Sequence, residues 1–327
     1  MRGKTALGVG FVVLVVAVAA AALLFSSPEE AEVLRASTIT VGLSTFDVIE
    51  TDPSILEGLG LEIEVLRFQI PPQSIDAIIR GDTQLTVLPV ELAGLTMLRG
   101  GDVYIVALDY MMNQAIIALP GSGVESPEDL KGRRVAAVVG SGTYAMFKSF
   151  MKELYGITVS EEGESDVIVV NVRPGDVLNA LLKGDADAAV IWDPIVSIAV
   201  EKHGAVIVAS YQELWEEWSG RESAPMLVWI ARAEVVSDRE LLDKVLEAHR
   251  RAAEKWNEDR SFVVDMLASL YNLDYDVAEL VWERNQMYTG LCISEELKEA
   301  MLDVWRLVYS AGYLEEMPPE ERIVTCP

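Results

Sequence analysis

The 327 residues predict a two-lobed α/β protein with a ligand cleft between the lobes. Three observations carry this expectation. The chain is longer than one ordinary hydrophobic core supports, which implies about two domains. Strand-like and helix-like patterns alternate along most of it, as they do where helices cover a mostly parallel sheet. Residues 71–107 (PPQSIDAIIRGDTQLTVLPVELAGLTMLRGGDVYIVA) also echo residues 174–210 (PGDVLNALLKGDADAAVIWDPIVSIAVEKHGAVIVAS) without a gap. The identities fall where geometry is demanding: Pro71 and Pro174 open a helix, Gly81-Asp82 and Gly184-Asp185 end it, and Val87 and Val190 lie in the next strand. Any two α/β units share such punctuation. A helix, strand, helix, strand order repeated in two halves nevertheless builds similar lobes, and ligands bind between lobes at strand carboxyl ends.

In order, the β-branched run at 38–43 predicts a first buried strand, and the alternation at 61–67 a second. A short helix at 72–80, a strand at 84–88, a helix at 89–99 and a strand at 103–108 complete the first unit. An apolar strand at 113–119 leads to a junction at 120–123 and a capped turn at 126–132. The second unit follows: a strand at 134–139, the loop Gly140-Ser141-Gly142-Thr143, a helix to Tyr155, a strand at 167–172 and the echo segment. The apolar run at 226–231 predicts the return to the first lobe. Beyond it the pattern is helical, with Ser237 and Glu240 as a capping box and further helices at 260–270, 275–287 and 294–311, expected to cover the first lobe. The boundaries are thus 1–35 for an N-terminal anchor or signal with its linker, 36–119 and 225–327 for lobe 1, and 120–224 for lobe 2.

Arg2 and Lys4 precede an uncharged run at 5–25, which as a helix spans roughly 30 Å, enough to cross a bilayer. The basic flank should stay inside and the acidic flank at 29–32 outside. Leu23, Leu24 and Phe25 spoil the small-residue site of a cleavable signal, so an uncleaved anchor is expected over a removed peptide. The rest then folds outside the cytoplasm, anchored, or secreted if cleaved. In that compartment Cys292 and Cys326 can form a bridge closing a loop of about 33 residues; the alternative is two buried free thiols.

Lys plus Arg number 26 against 52 for Asp plus Glu, a formal charge of −26, spread over solvated faces rather than one tail. Non-specific binding to nucleic acid or to an anionic membrane surface is excluded on that ground. Metal-ligand spacing is absent, so neither metal nor other cofactor is expected. No nucleophile elbow, phosphate loop or His-rich motif occurs, and no catalytic residue is assigned. His203 ends a helix, and His249 beside Arg250 and Arg251 is expected on an exposed helical face; both are taken as structural.

Candidate ligand contacts lie after the strands. Ser44, Thr45 and Phe46 follow the first strand of lobe 1; Ser141, Gly142 and Thr143 follow the first strand of lobe 2. Each loop offers hydroxyls and main-chain N–H groups at a helix start, suited to an anion, or simply to capping the helix. Pro89 and Glu91 face Trp192 and Asp193 at the ends of the echoed strands, and Asp109 and Tyr110 lie at the cleft mouth. Trp192 would be an apolar wall or a core residue. Glu91 and Asp109 hint at a ligand with a cationic or hydrogen-donating part.

The run SPEDLKGRRVAAVVGSGTYAMFKSF resembles the signature of the nitrate, sulfonate and taurine branch of ABC-transporter solute-binding proteins, and ALLKGDADAAVIWDPIVSIA resembles that family's Trp-Glu-Pro segment, with Asp193 where glutamate is commoner. The resemblance implies a type II periplasmic-binding-protein fold of two lobes and two crossings, near 113–124 and 220–226, closing on a ligand. It implies ligand contacts at Ser44, Thr45, Pro89, Ser141, Gly142, Thr143 and Trp192, with the Asp193 contact in doubt. It implies a monomer that captures a small polar or anionic solute and delivers it to an ABC permease and its ATPase. An enzyme of the same fold, acting on a small carboxylated or vitamin-precursor substrate, is the alternative. The cysteine-rich motif of the pyrimidine-synthase relatives is absent, which weighs against it.

Overall fold

The first strand starts at Glu32, earlier than the β-branched run that marks it in the sequence. In this computed structural model, which describes residues 31–161 and 164–326, β1 (Glu32–Ile39) pairs in parallel along its whole length with β2 (Leu61–Phe68). Residues 32–35, expected in the linker, are therefore strand. Between them, α1 (Thr45–Thr51) buries Phe46, Val48 and Ile49. Two prolines open α2 (Pro71–Arg80), and Gly81, at φ 80°, ends it in the left-handed conformation that glycine adopts without a Cβ clash. Next come β3 (Leu85–Pro89), α3 (Val90–Leu98) and β4 (Val103–Met111).

The chain then leaves this sheet. β5 (Ala115–Ala118) runs antiparallel between β9 and β10 of a second sheet, which also holds β6 (Arg134–Ala137), β7 (Val159–Ser160) and β8 (Val167–Asn171). The helices of this unit are α4 (Gly142–Tyr155), α5 (Val177–Leu182), α6 (Ile195–His203) and α7 (Tyr211–Ser219); β9 is Ala188–Ile191 and β10 is Val206–Ser210. The first crossing is thus Met112 to Gln114, and the boundary expected after residue 119 moves to the start of β5. The apolar pattern of β5 suited either sheet, and only its pairing with β9 decides.

β11 (Pro225–Arg232) returns to the first sheet and inserts antiparallel between β3 and β4, giving the orders β2-β1-β3-β11-β4 and β10-β5-β9-β6-β8-β7. Read from β8 to β10, the second sheet repeats the first strand for strand, with β5 in the place of β11. The echo covers the matching pieces: α2 to β4 in one lobe, and the turn at Pro174 to β10 in the other.

Four more helices follow α8 (Ala233–Ser237): α9 (Arg239–Glu258), α10 (Arg260–Tyr271), α11 (Tyr275–Arg284) and α12 (Glu295–Ser310). The cap of α9 is Asp238, whose carboxylate accepts the Leu241 N–H; Ser237 belongs to the preceding turn of helix. These helices cover both lobes rather than the first alone. α12 lies against α3 and α4, while α11 lies against α6, where Lys202 pairs with Asp274 and Asp276. Gly94 admits α12, because a Cβ there would stand 2.7 Å from the Trp305 indole nitrogen, which donates to the Val90 carbonyl. No described helix is long and apolar enough to cross a membrane, and the run at 5–25 lies outside the described residues.

Cys292 and Cys326 are disulfide-bonded. The bond fastens a tail whose Val324 N–H donates to the Ile105 carbonyl and so shields the free edge of β4. With 34 positions between its ends, the bridge should stabilise by ~2–4 kcal/mol. Replacing Cys326→Ser should lower the urea-unfolding free energy by about that amount.

Candidate functional site

The cleft between the sheets leaves about 40 Å³ for the centres of water-sized molecules, within about 440 Å³ of unfilled space that includes open solvent at its mouth. Of the residues expected to contact a ligand, Pro89, Tyr110, Ser141, Gly142, Thr143 and Trp192 line it. So do residues the sequence reading passed over: Thr38 and Ile39 at the end of β1, Gly42 and Leu43 in the loop after it, Pro71 at the head of α2, and Val87 and Leu88 in β3. Most of these lie at or just after the carboxyl ends of strands, the edge at which α/β sheets present ligand contacts, and that position is their signal in the sequence. Met226 and Leu227 had no such signal. They are at the beginning of β11, and its antiparallel insertion brings that beginning level with the carboxyl ends of its neighbours.

Lobe 1's first loop does not serve as an anion cradle. The Ser44 N–H and both Thr45 donors are taken by carboxylates of the same lobe, and the Ser44 hydroxyl is buried away from the cleft. The Ser44 N–H donates to Asp47 Oδ2 at 3.0 Å, and Asp47 also accepts from Arg67 and the Tyr271 hydroxyl. Thr45 donates through its N–H to Asp109 Oδ2 at 3.2 Å and through Oγ1 to Asp109 Oδ1 at 2.5 Å, while accepting from the Trp229 indole. Phe46 stacks on Trp229, centroids 4.1 Å apart, in the core. Ser44, Thr45, Phe46 and Asp109 are all fully buried outside the cleft lining, so these four expectations are corrected.

His249 is corrected too: it is 0% exposed, its ring edge-on to Trp229 and its Nε2 3.4 Å from Asp109 Oδ1. It belongs to the buried stripe Val245, Ala248, His249, Ala252 of α9, and the flanking arginines point the other way.

Asp193 also faces away from the cleft. Its Oδ1 caps α6 by accepting from the Ser197 N–H and hydroxyl, and its Oδ2 accepts from Arg284 and Asn285 at the end of α11. Asn285 in turn accepts from Asn113 in the first crossing. The Asp193–Pro194 peptide is cis. The carboxylate therefore joins lobe 2 to the crossing.

Lobe 2's loop is different. Ser141 caps the 14-residue α4, its Oγ accepting the Tyr144 N–H, and the Gly142 and Thr143 N–H groups stand at the helix head, where the intrahelical ladder supplies no acceptor. Opposite, the Trp192 ring closes the cleft, and its Nε1 reaches across the lobes to donate to the Val41 carbonyl at 2.6 Å. No lining side chain is charged. Glu91 lies one layer behind. It is 2% exposed, its Oε1 has no hydrogen-bond partner, and burial pushes its pKa up to about 7. It stands over Gly142, where a Cβ would lie 1.9 Å from Oε1 and 2.7 Å from the Pro89 Cβ. The lobes approach this closely because residue 142 lacks a side chain.

The model of the family described as "NMT1/THI5 like" matches residues 57–259, well over half the chain. The chain belongs to that family. Among its relatives is the "Taurine-binding periplasmic protein" of Escherichia coli (strain K12), 27% identical over 206 residues, 61% of this chain and 59% of the relative. The "Putative aliphatic sulfonates-binding protein" of Bacillus subtilis (strain 168) is 22% identical over 160 residues, 47% of this chain and 45% of the relative. The matched stretches thus span less than two thirds of either relative. Solved structures extend the likeness in fold. The alkanesulfonate-binding protein SsuA from Xanthomonas axonopodis pv. citri bound to MOPS has a TM-score of 0.72 at 18% identity, covering 91% of this chain and 98% of that one. The E. coli aliphatic sulphonate binding protein SsuA has a TM-score of 0.74 at 18% identity, covering 92% and 93%. The type II binding-protein fold expected from the resemblance is therefore the family's fold, and those family members are named as binding proteins.

The Asp109 cluster gives a stability test. Thr45→Val removes the hydroxyl that donates to Asp109 and accepts from Trp229, leaving both buried groups short of a partner; urea unfolding should show a loss of about 2–3 kcal/mol.

Proposed function

We propose that this protein is the extracytoplasmic solute-binding component of an ABC import system, and that it captures a small organic anion, with a short-chain sulfonate as the leading candidate. The observation that carries this reading is the polarity of the cleft. Its walls are apolar, from Ile39, Leu43, Val87, Leu88, Met226, Leu227 and Trp192, and its polar end is the open head of α4 with Ser141 and Thr143. An anionic headgroup would take the Gly142 and Thr143 N–H groups and the helix dipole, and a short alkyl chain would lie against Trp192.

Closure supports capture rather than chemistry. The Trp192 to Val41 hydrogen bond and the contact of Glu91 with Gly142 both join the lobes, and both are lost on opening. A ligand that binds both walls stabilises the closed form by its own affinity for it, without a covalent step. Among the lining residues no nucleophile has a base beside it, since the Ser141 hydroxyl serves its helix. The relatives' names, taurine-binding and aliphatic sulfonates-binding, agree with the ligand class. The proposal includes an N-terminal segment that holds a monomer at the outer membrane surface of the cell, and delivery to a permease and its ATPase.

Calorimetry of the purified protein against taurine, ethanesulfonate, nitrate and small carboxylates should show one saturable site of micromolar or tighter Kd for a sulfonate, about −8 kcal/mol or better. The absence of saturable binding to the whole panel would refute the reading. Gly142→Ala should weaken the bound sulfonate at least about tenfold, since its Cβ must push Pro89 and Glu91 away and hold the lobes apart.

A further inference from the structure

We propose that Glu91 determines which charge the cleft accepts: with its carboxyl uncharged the head of α4 takes a plain anion, and with its carboxyl ionised the site favours a zwitterion that brings an ammonium group. This rests on the proposed sulfonate-binding role and names the ligand class within it.

The geometry is specific to this pair of residues. Glu91 is in the first turn of α3, in lobe 1, yet its Oε1 stands over the first residue of α4, in lobe 2. Glu91 is buried and its Oε1 has no hydrogen-bond partner, so that oxygen is a second acceptor beside the helix end that an anionic headgroup would occupy. Two negative charges at one buried helix terminus repel strongly in this low-dielectric setting, and the cheapest relief is a proton on the carboxyl. A ligand ammonium that reaches past the lining to Oε1 would instead supply the missing donor.

The surroundings leave Glu91 as the group that titrates here. The phenols that feel its charge are Tyr211, which donates to the Thr143 carbonyl, and Tyr313. Burial raises the pKa of both, so they stay neutral. On α12, Asp303 is paired with Arg221 and Arg306. On α4, Lys152 donates to the Ser310 carbonyl and Lys148 lies over the Tyr144 ring. Arg232 of β11 is paired with Glu234, and Asp109 of β4 with Thr45. Burial holds the Glu91 carboxyl at about 7, and an anion beside it raises that value further. The complex with a plain anion then keeps a proton that the free protein loses above about pH 7, so affinity falls as pH rises through that range.

Titration calorimetry with ethanesulfonate and with taurine at pH 6, 7 and 8 tests this on the wild type and on Glu91→Gln. Ethanesulfonate should bind the wild type about tenfold more tightly at pH 6 than at pH 8, while taurine should hold or gain affinity over the same range. Glu91→Gln should flatten both profiles and bind ethanesulfonate at pH 8 as well as the wild type does at pH 6. An ethanesulfonate affinity constant within about twofold across the range, or a slope that survives in Glu91→Gln, would overturn the assignment. So would both ligands weakening together, which would make Glu91 a closure latch instead. Taurine binding without ethanesulfonate binding at pH 6 sinks the assignment alone; binding of neither by the wild type sinks the proposed function with it.

Discussion

Where the chain passes between its lobes, the Met112 N–H donates to the Ala224 carbonyl at 2.8 Å, so the two crossings lie side by side. Much of the architecture follows from that contact. The strand after each crossing, β5 or β11, enters a sheet whose other central strands run the opposite way. An antiparallel insertion brings the start of the entering strand to the carboxyl edge of the sheet, and in lobe 1 this delivers Met226 and Leu227 to the cleft. The crossings are short and adjacent, and the facing edges of the lobes stand opposed across the cleft. Asp193 reinforces the same place through Asn285 and Asn113.

The two lobes share a topology but divide the electrostatic work. In lobe 1 the buried carboxylates Asp47 and Asp109 accept the Ser44 N–H and both Thr45 donors at the head of α1, and Trp229, Tyr271 and Arg67 complete that network. Each carboxylate would be costly to bury alone, and each is stabilised by the charge-assisted hydrogen bonds it accepts. Lobe 2 leaves the head of α4 open. Its carboxylate neighbour, Asp193, turns instead to α6 and the end of α11. Of the two matching helix heads, only that of lobe 2 therefore lines the cleft. The carboxyl nearest to it comes from the other lobe, through Glu91, which lies behind the cleft lining.

The indoles show how aromatic bulk is made specific. Trp192, Trp215, Trp229, Trp256, Trp282 and Trp305 each place their N–H on a defined oxygen. A large ring gains its stability from burial, and the buried polar corner selects one orientation for it. For Trp192 the acceptor is in the opposite lobe, which ties the wall of the cleft to closure. For Trp305 it is the first turn of α3, the same turn that carries Glu91.

The linear chain by itself determined the class of fold, the repeat and the family. Those depend on local patterning, on the glycines and prolines that end and begin helices, and on a motif run, all of which are written in neighbouring residues. It also placed Pro89, Tyr110, Ser141, Gly142, Thr143 and Trp192 at the cleft, because the carboxyl ends of strands in α/β units point to one edge. Pairing between distant segments decided the rest. That β5 joins the second sheet, that Thr45 serves Asp109, that Asp193 serves Asn285, that His249 faces inward and that Glu91 stands over Gly142 are contacts across tens to hundreds of positions. A hydroxyl or a carboxyl in a sequence shows what it can bind. Only the folded chain shows which partner reaches it first, and here that left the helix head of one lobe open and sealed the other.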